Sequence, residues 1–239
     1  MTVTVFSHPA CLQHDLGHDH PESPSRLHAI ADQLLSSGLE YVIQQKDASA
    51  ASDEQLALVH DPAYLRLVQQ KQPDSGLAWL DDDTAMMPKS LRAARFAAGA
   101  VINAVDLVMK AKDQQAFCAI RPPGHHAESA QAMGFCIFNN VAVGAAYALS
   151  QYQLTRLLIV DFDVHHGNGT ENILAGDDRV SMVRFFQHPF YPYSGDKEPA
   201  SNMLNVPMPA YTNGMEVREM IEMMWLPRLE AFKPEMIFI

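Results

Sequence analysis

Two carboxylates and an imidazole alternate along one short segment of the chain. Asp161, Asp163 and His165 stand two residues apart, and a run of apolar residues (156–160) precedes them. On extended backbone, residues two apart share a face, so these three side chains can project together. A carboxylate and an imidazole that converge in this way form half of a site for Zn²⁺ or a similar divalent ion. The simpler alternative is an Asp–His hydrogen bond at the end of a strand, but two buried carboxylates there would need a counter-charge.

A second histidine pair, His125-His126, follows another apolar segment. It lies in the sequence Arg-Pro-Pro-Gly-His-His-Ala (121–127), where two prolines and a glycine restrict the turn. Adjacent neutral imidazoles can serve as a base and as an orienting partner. Taken alone, the pair is equally compatible with two surface histidines and with an active site.

The elements that must position these residues alternate between strand and helix. Strands are predicted at 2–6, 116–120, 156–162, 180–185, 204–206 and 236–239, and helices at 24–37 with Ser23 as a cap, 90–112, 139–150 and 214–232. This alternation predicts βαβ units and an α/β fold with an open, mainly parallel sheet. Ligands bind beyond the carboxyl ends of the strands in such sheets, and both histidine pairs follow a strand.

Composition narrows the classes of function. The 239 residues hold 17 Lys and Arg against 28 Asp and Glu, a net charge of −11, which argues against binding to nucleic acid. No apolar run is long enough to span a membrane, and the first residues lack the pattern of a signal peptide. Three scattered cysteines predict a reducing compartment, the cytoplasm. Without repeats or linkers, residues 1–239 are predicted to form a single domain.

The motifs taken together are highly specific. The chain resembles the zinc-dependent histone deacetylase and acetylpolyamine amidohydrolase family. Asn168, where class I deacetylases usually carry Asp, indicates a resemblance to the class II-like branch, which includes many bacterial members. The matching segments are His-Pro-Glu-x-Pro-x-Arg (20–26), Arg-Pro-Pro-Gly-His-His (121–126), Gly-Phe-Cys-x-Phe-Asn-Asn (134–140) and Asp-Phe-Asp-Val-His-His-Gly-Asn-Gly-Thr (161–170). The resemblance implies a three-layer α/β fold of the arginase–deacetylase type.

The resemblance also implies a role for each candidate residue. Asp163 and His165 match two of the three protein ligands of a single catalytic zinc ion. His126 matches the general base and faces the neutral Asn168. His125 matches the electrostatic partner.

Asp161 matches the carboxylate that pairs with His125, and it also lies beside a family site for a monovalent cation, usually potassium. Arg184 stands where many relatives carry Ser or Thr, and a guanidinium there could replace the potassium ion or exclude it.

Other matches concern the substrate. Gly134, Phe135 and Tyr191 match the tunnel around an acyl-lysine stem, and Asp83 matches a rim carboxylate, although a solvated acidic loop is the simpler interpretation of Asp83. Three residues match a scaffold and entrance loop without a catalytic role: His20, Glu22 and Arg26.

The resemblance places the third zinc ligand and an oxyanion-binding tyrosine beyond Ile239, so we expect a catalytic domain truncated before the third-ligand loop. A chain with only two ligands is expected to bind zinc weakly.

Two alternatives remain open. The first is a non-catalytic or inactive module that binds acyl-lysine. The second is an arginase-like ureohydrolase, which requires a bridging side chain where this sequence has Gly167. The expected substrate is an acylated lysine, an acetylpolyamine or another small acylated amine.

Overall fold

The computed structural model describes residues 2–111 and 114–239, which form two compact units, Met1–Ala148 and Leu149–Ile239. The boundary between the units falls within a helix. The prediction of one domain over residues 1–239 is not tested by this division and stays a prediction.

The first unit contains a three-stranded parallel sheet in the order β2–β1–β5. Its elements are β1 (Thr2–Ser7), α1 (Ser25–Ser36), β2 (Ile43–Asp47), α2 (Asp53–Leu56), α3 (Pro62–Gln70), β3 (Ala78–Trp79), β4 (Ala85–Met86), α4 (Ser90–Lys110), β5 (Gln114–Cys118) and the start of α5 (Asn140–Gln151).

Neighbouring residues of β1 face opposite sides of this sheet. Val5 packs with Leu27 and Ile30 of α1, whereas Phe6 packs with Ala100 and Leu107 of α4. Alternation along the strand therefore places a helix against each face, which makes the unit three layers thick. A further apolar cluster, around Leu56, Met86 and Phe138, packs the helices and the hairpin that follow β2 against one another.

The second unit contains a four-stranded parallel sheet in the order β8–β7–β6–β9. Its elements are β6 (Leu157–Asp161), α6 (Asn168–Leu174), β7 (Val180–Gln187), β8 (Met203–Met208), α7 (Gly214–Met220), α8 (Leu226–Phe232) and β9 (Met236–Phe238). Leu158 and Val183 pack against Trp225 on one face of the sheet. The register of β6 and β7 pairs Asp161 with Arg184.

The helix predicted over residues 214–232 is divided into α7 and α8 by a π-helical turn, Ile221–Trp225. Pro227 explains the interruption, because proline has no N–H to donate and its ring clashes with the carbonyl four residues earlier.

Most predicted elements are present within two residues of their predicted ends. For the predicted helix 90–112 the last predicted residue cannot be compared, because Lys112 lies outside the described residues. The predicted cap of α1 is wrong: Pro24 occupies the cap position and no side chain caps the helix. Proline has a φ suited to the start of a helix, which lets the helix begin there without a capping hydroxyl. Of the helices in 2–111 and 114–239, none has the length and apolar character that a bilayer span needs.

Candidate active site

Asp163 and His165 form a close pair just after β6. The Oδ1 atom of Asp163 accepts the backbone N–H of His165 at 2.8 Å and lies 3.0 Å from the Nδ1 atom of the same imidazole. Asp161, the last residue of β6, accepts the backbone N–H of Asp163 at 3.2 Å. The segment is thus folded by its own carboxylates, with Asp163 and His165 side chains about half and one-third exposed (49% and 34%).

The spacing of this pair suits two ligands of one zinc ion. Tetrahedral zinc with metal–ligand distances of about 2.0–2.1 Å separates its O and N donors by roughly 3.3 Å. Oδ1 of Asp163 and Nδ1 of His165 are 3.0 Å apart, so both atoms can face the same ion after a small adjustment. No group of three or more His, Cys, Asp or Glu that could hold a metal occurs in the described part of the chain. The donors fit two corners of a site, and the third ligand expected beyond residue 239 stays a prediction.

Aromatic rings surround the imidazole of His165. Phe190 stacks on it with ring centroids 5.0 Å apart and planes 13° apart, and Tyr191 approaches edge-on at 5.9 Å. Tyr191, predicted to line a substrate tunnel, therefore lies beside a predicted metal ligand. Phe190 is a neighbour of this site that the sequence motifs did not single out.

A buried polar cluster lies behind the same segment. The Nε2 atom of His166 is 2.8 Å from Glu171 and its Nδ1 atom is 2.8 Å from Ser194. Arg184 also pairs with Glu171. Burial alone would raise the pKa of Glu171, but the hydrogen bond with His166 and the charge of Arg184 lower it to about 2. Burial lowers the pKa of His166, and Glu171 opposes that shift only in part.

Asn168 is the first residue of α6, and its backbone N–H donates to the carbonyl of His166 at 2.8 Å. Gly167, with φ of −74°, precedes the helix and connects it to the segment that carries Asp163 and His165.

In the first unit, His125 and His126 have ring centroids 4.1 Å apart with a tilt of 49°. His126 is 4% exposed, and His125 is half-buried. Gly134, with φ of +58°, lies directly against the His126 ring: a Cβ at Gly134 would be 2.3 Å from Cδ2 of His126. The predicted tunnel glycine is therefore the residue that gives His126 its space.

An ion pair anchors the start of the histidine loop. Arg121 is fully buried and makes two parallel hydrogen bonds to Glu22, at 2.7 and 2.6 Å, and a third to the carbonyl of Cys11 at 2.8 Å. Arg26 donates to the carbonyl of Ile120 at 2.7 Å. These contacts agree with the scaffold role expected of Glu22 and Arg26.

His20 belongs to the same entrance loop. Its Nδ1 atom accepts the N–H of Glu22 at 3.1 Å, and its ring packs edge-on against Phe135 at 4.8 Å.

A buried histidine supports the end of the histidine loop. His60 donates from Nδ1 to the carbonyl of Glu128 at 3.0 Å and accepts the N–H of Asn139 at Nε2, also at 3.0 Å. Burial lowers the pKa of His60 to about 4, so the ring is neutral near pH 7 and can fill both roles.

Asp83 is hydrogen-bonded to the loop that carries Gly134. It is half-buried, and its Oδ1 atom accepts the N–H of Gly134 at 2.9 Å and the hydroxyl of Thr84 at 2.8 Å. Thr84 in turn accepts the N–H of Phe135 at 3.0 Å. Asp83 is therefore not a fully solvated acidic loop residue, and its role at the substrate rim stays a prediction.

The structure thus brings the candidates together as two groups. His125, His126, Gly134, Phe135 and Asp83 form one group in the first unit. The other group lies in the second unit and consists of Asp161, Asp163, His165, Asn168 and Tyr191. The expected pairs His125–Asp161 and His126–Asn168 would join residues of different units and stay predictions.

Comparison with known proteins decides the family. The histone deacetylase domain family matches residues 20–239, which is nearly the whole chain and includes both groups of site residues. The chain belongs to the histone deacetylase family.

Individual relatives of this family agree with the assignment. The chain is 35% identical to the histone deacetylase-like amidohydrolase of Pseudomonas aeruginosa, over 92% of this chain and 60% of that protein. It is 40% identical to the human polyamine deacetylase HDAC10, over 72% of this chain and 27% of that protein. The chain therefore spans less than two thirds of the length of both relatives.

A solved structure confirms the fold class. The crystal structure of the HDA15 HD domain matches 99% of this chain and 71% of its own chain, with a TM-score of 0.90 and 30% identity. The histone deacetylase-family chain accordingly has the three-layer α/β fold with parallel strands that the resemblance implied.

Several supporting residues of the site were missed by the sequence reasoning. Three of them stand directly next to a residue that matches the family: Phe190 beside Tyr191, Thr84 beside Asp83 and Glu171 beside Thr170. His60 stands alone in the sequence, and nothing near it marks it as a partner of Glu128 and Asn139.

Proposed function

We propose that this chain is the core of a zinc-dependent amidohydrolase that removes acetyl or other acyl groups from lysine side chains or from amines such as acetylpolyamines. Membership of the histone deacetylase family supports the reaction class. The relatives, a histone deacetylase-like amidohydrolase and a polyamine deacetylase, support both substrate types. The observation that carries the proposal is the Asp163–His165 pair at the carboxyl end of a parallel strand.

Asp163 and His165 would hold the zinc ion through Oδ1 and Nδ1. When bound, zinc supplies a Lewis acid that polarises the amide carbonyl and lowers the pKa of water. The stacked ring of Phe190 limits rotation of the His165 imidazole, so the Nδ1 atom keeps its direction.

His126 would act as the general base. It would take a proton from the attacking water at an imidazole nitrogen and deliver it to the nitrogen of the leaving amine, while acetate forms. Burial and the contact with Gly134 restrict the ring, which favours a fixed path for that proton. His125, the more exposed ring, would stabilise the negative charge that develops on the carbonyl oxygen.

Gly134, Phe135 and Tyr191 would enclose the methylene stem of the substrate, with Asp83 near the rim. Phe135 has a backbone φ of +67°, and its N–H donates a hydrogen bond to the hydroxyl of Thr84. Its ring packs edge-on against the ring of His20. Flat apolar rings suit a chain of methylenes that carries no charge until the acyl group is removed. The net charge of −11 also favours the approach of polyamines, which are cations.

Release of acetate from an acetyl-lysine peptide and from an acetylated polyamine, measured before and after removal of metal with a chelator, tests the proposal. We expect activity that a chelator abolishes and zinc restores, and that His126→Ala lowers while His18→Ala does not. His18 is a matched control because its side chain is fully exposed. Binding of the acetylated peptide without any acetate release would instead support the non-catalytic module.

A further inference from the structure

The second unit contains a buried cation that the proposed reaction does not use. Arg184 is 1% exposed and lies on β7 opposite Asp161. Its guanidinium donates from Nε to the Asn205 side chain at 2.6 Å, from Nη1 to the carbonyl of Gly167 at 2.9 Å, and from Nη2 to Glu171. Burial lowers the pKa of Arg184, and the charges of Glu171 and then Asp161 oppose that shift.

These contacts gather oxygen atoms from three residues around one positive charge. Gly167 precedes α6, Glu171 lies within α6, and Asn205 belongs to β8. Carbonyl and carboxylate oxygens that are buried together at a strand end require a positive charge nearby. Without the guanidinium, a hard cation such as K⁺ or Na⁺ could supply that charge. Here the guanidinium supplies the charge and satisfies the acceptors in fixed directions.

The cluster is connected directly to the proposed metal ligands. Gly167 is two residues after His165, so the hydrogen bond from Arg184 fixes the backbone where the ligand segment ends. Glu171 also binds the Nε2 atom of His166, the residue that follows His165. Asn205 donates a further hydrogen bond to Glu171 at 3.2 Å, which completes the network.

We propose that Arg184 is a built-in cation that takes the place of an alkali metal ion at this strand end and positions the segment carrying Asp163 and His165. Arg184 is a positioning residue, since it acts on the ligands through Gly167, Glu171 and His166. The consequence for zinc affinity rests on the function proposed above, whereas the consequence for stability does not.

The first experiment measures thermal unfolding of the protein in KCl, NaCl and choline chloride at equal ionic strength. Because the guanidinium is covalently attached, we expect the same Tm in all three salts. A Tm that rises in KCl relative to choline chloride would show that an alkali ion binds, and would overturn the proposal.

The second experiment measures zinc affinity by equilibrium dialysis for Arg184→Ser. Loss of a residue that orients metal ligands lowers affinity by about 10–100-fold, and we expect a loss in this range in choline chloride. We expect KCl to restore much of it, because the smaller side chain leaves room for an ion among the same oxygens. Unchanged affinity in the folded variant, or a loss that no alkali ion restores, would contradict the proposal.

Two further variants separate positioning from general destabilisation. Arg228→Met removes an arginine that binds Ser181 and the carbonyl of Ser201 in the same unit, away from the ligand segment, so zinc affinity should not change. Arg184→Lys keeps a positive charge and should retain a Tm that is independent of the alkali ion, which allows a test if Arg184→Ser does not fold. If the unaltered protein binds no zinc in any salt, the proposed function fails, while the unfolding comparison still decides the role of Arg184.

Discussion

Gly134→Ala is expected to displace His126, the proposed general base, without changing the chemistry of its ring. The new Cβ would lie 2.3 Å from Cδ2 of His126, whereas ordinary contacts begin at 3.4 Å, so the ring must retreat by 3.4 − 2.3 = 1.1 Å. A misplacement of about 1 Å in a catalytic group can lower the rate by roughly 10²-fold. We therefore expect kcat for acetate release to fall by about that factor.

The same substitution also strains the backbone, because φ at Gly134 is +58°. A left-handed conformation costs a residue with a Cβ about 1–2 kcal/mol, which would lower Tm by roughly 2–8 °C in a chain of this size. Gly176→Ala is the matched control: φ is +83°, but nothing lies within 4 Å of the new Cβ. The control should show the loss of Tm and keep its kcat.

The assay compares kcat and Tm of the two alanine variants with those of the unaltered protein. If Gly134→Ala and Gly176→Ala have the same kcat, Gly134 does not set the position of the proposed base His126.

Three further predictions concern the histidine loop and its supports. His126→Ala should lower kcat by about 10²–10⁴, and a larger loss in His125→Ala would reverse the proposed roles of the two rings. Glu22→Gln should lower the free energy of unfolding by about 3–5 kcal/mol in urea titrations, since it leaves the buried Arg121 without its counter-charge; an unchanged midpoint would contradict this. Because the pKa of His60 is about 4 when folded and near 6.5 when unfolded, the unfolded state binds the extra proton and stability should fall by roughly 3 kcal/mol as the pH drops from 7 to 4. His60→Gln should remove that part of the pH dependence in unfolding measured by circular dichroism.

The parts of the site that were predictable depend on local rules. The contact between Asp163 and His165 was foreseeable from their spacing, because side chains two residues apart lie on the same side of extended backbone. The capping box of Ser52 and Gln55 follows an equally local rule, because both partners lie within one helical turn.

Other features depend on contacts between distant residues and could not be read from spacing. Asp83 precedes Gly134 by 51 positions, and its hydrogen bond exists only because the β3–β4 hairpin lies beside the loop. The strand β2 was missed for a different reason: four of its five residues are exposed, so it lacks the apolar alternation that marks a half-buried strand.

The attachment of the loop that carries Phe135, the proposed wall of the substrate tunnel, also bears on how the substrate range of such a protein can evolve. Asp83 and Thr84 accept hydrogen bonds from the backbone N–H groups of Gly134 and Phe135. Every residue except proline has such an N–H group. The hydrogen bonds that anchor this loop therefore do not involve the side chain at position 135. Exchanging Phe135 for a smaller or larger side chain should reshape the space for the acyl-amine stem while the loop stays anchored, which makes this position suited to inherited variation and to directed evolution of new substrate preferences.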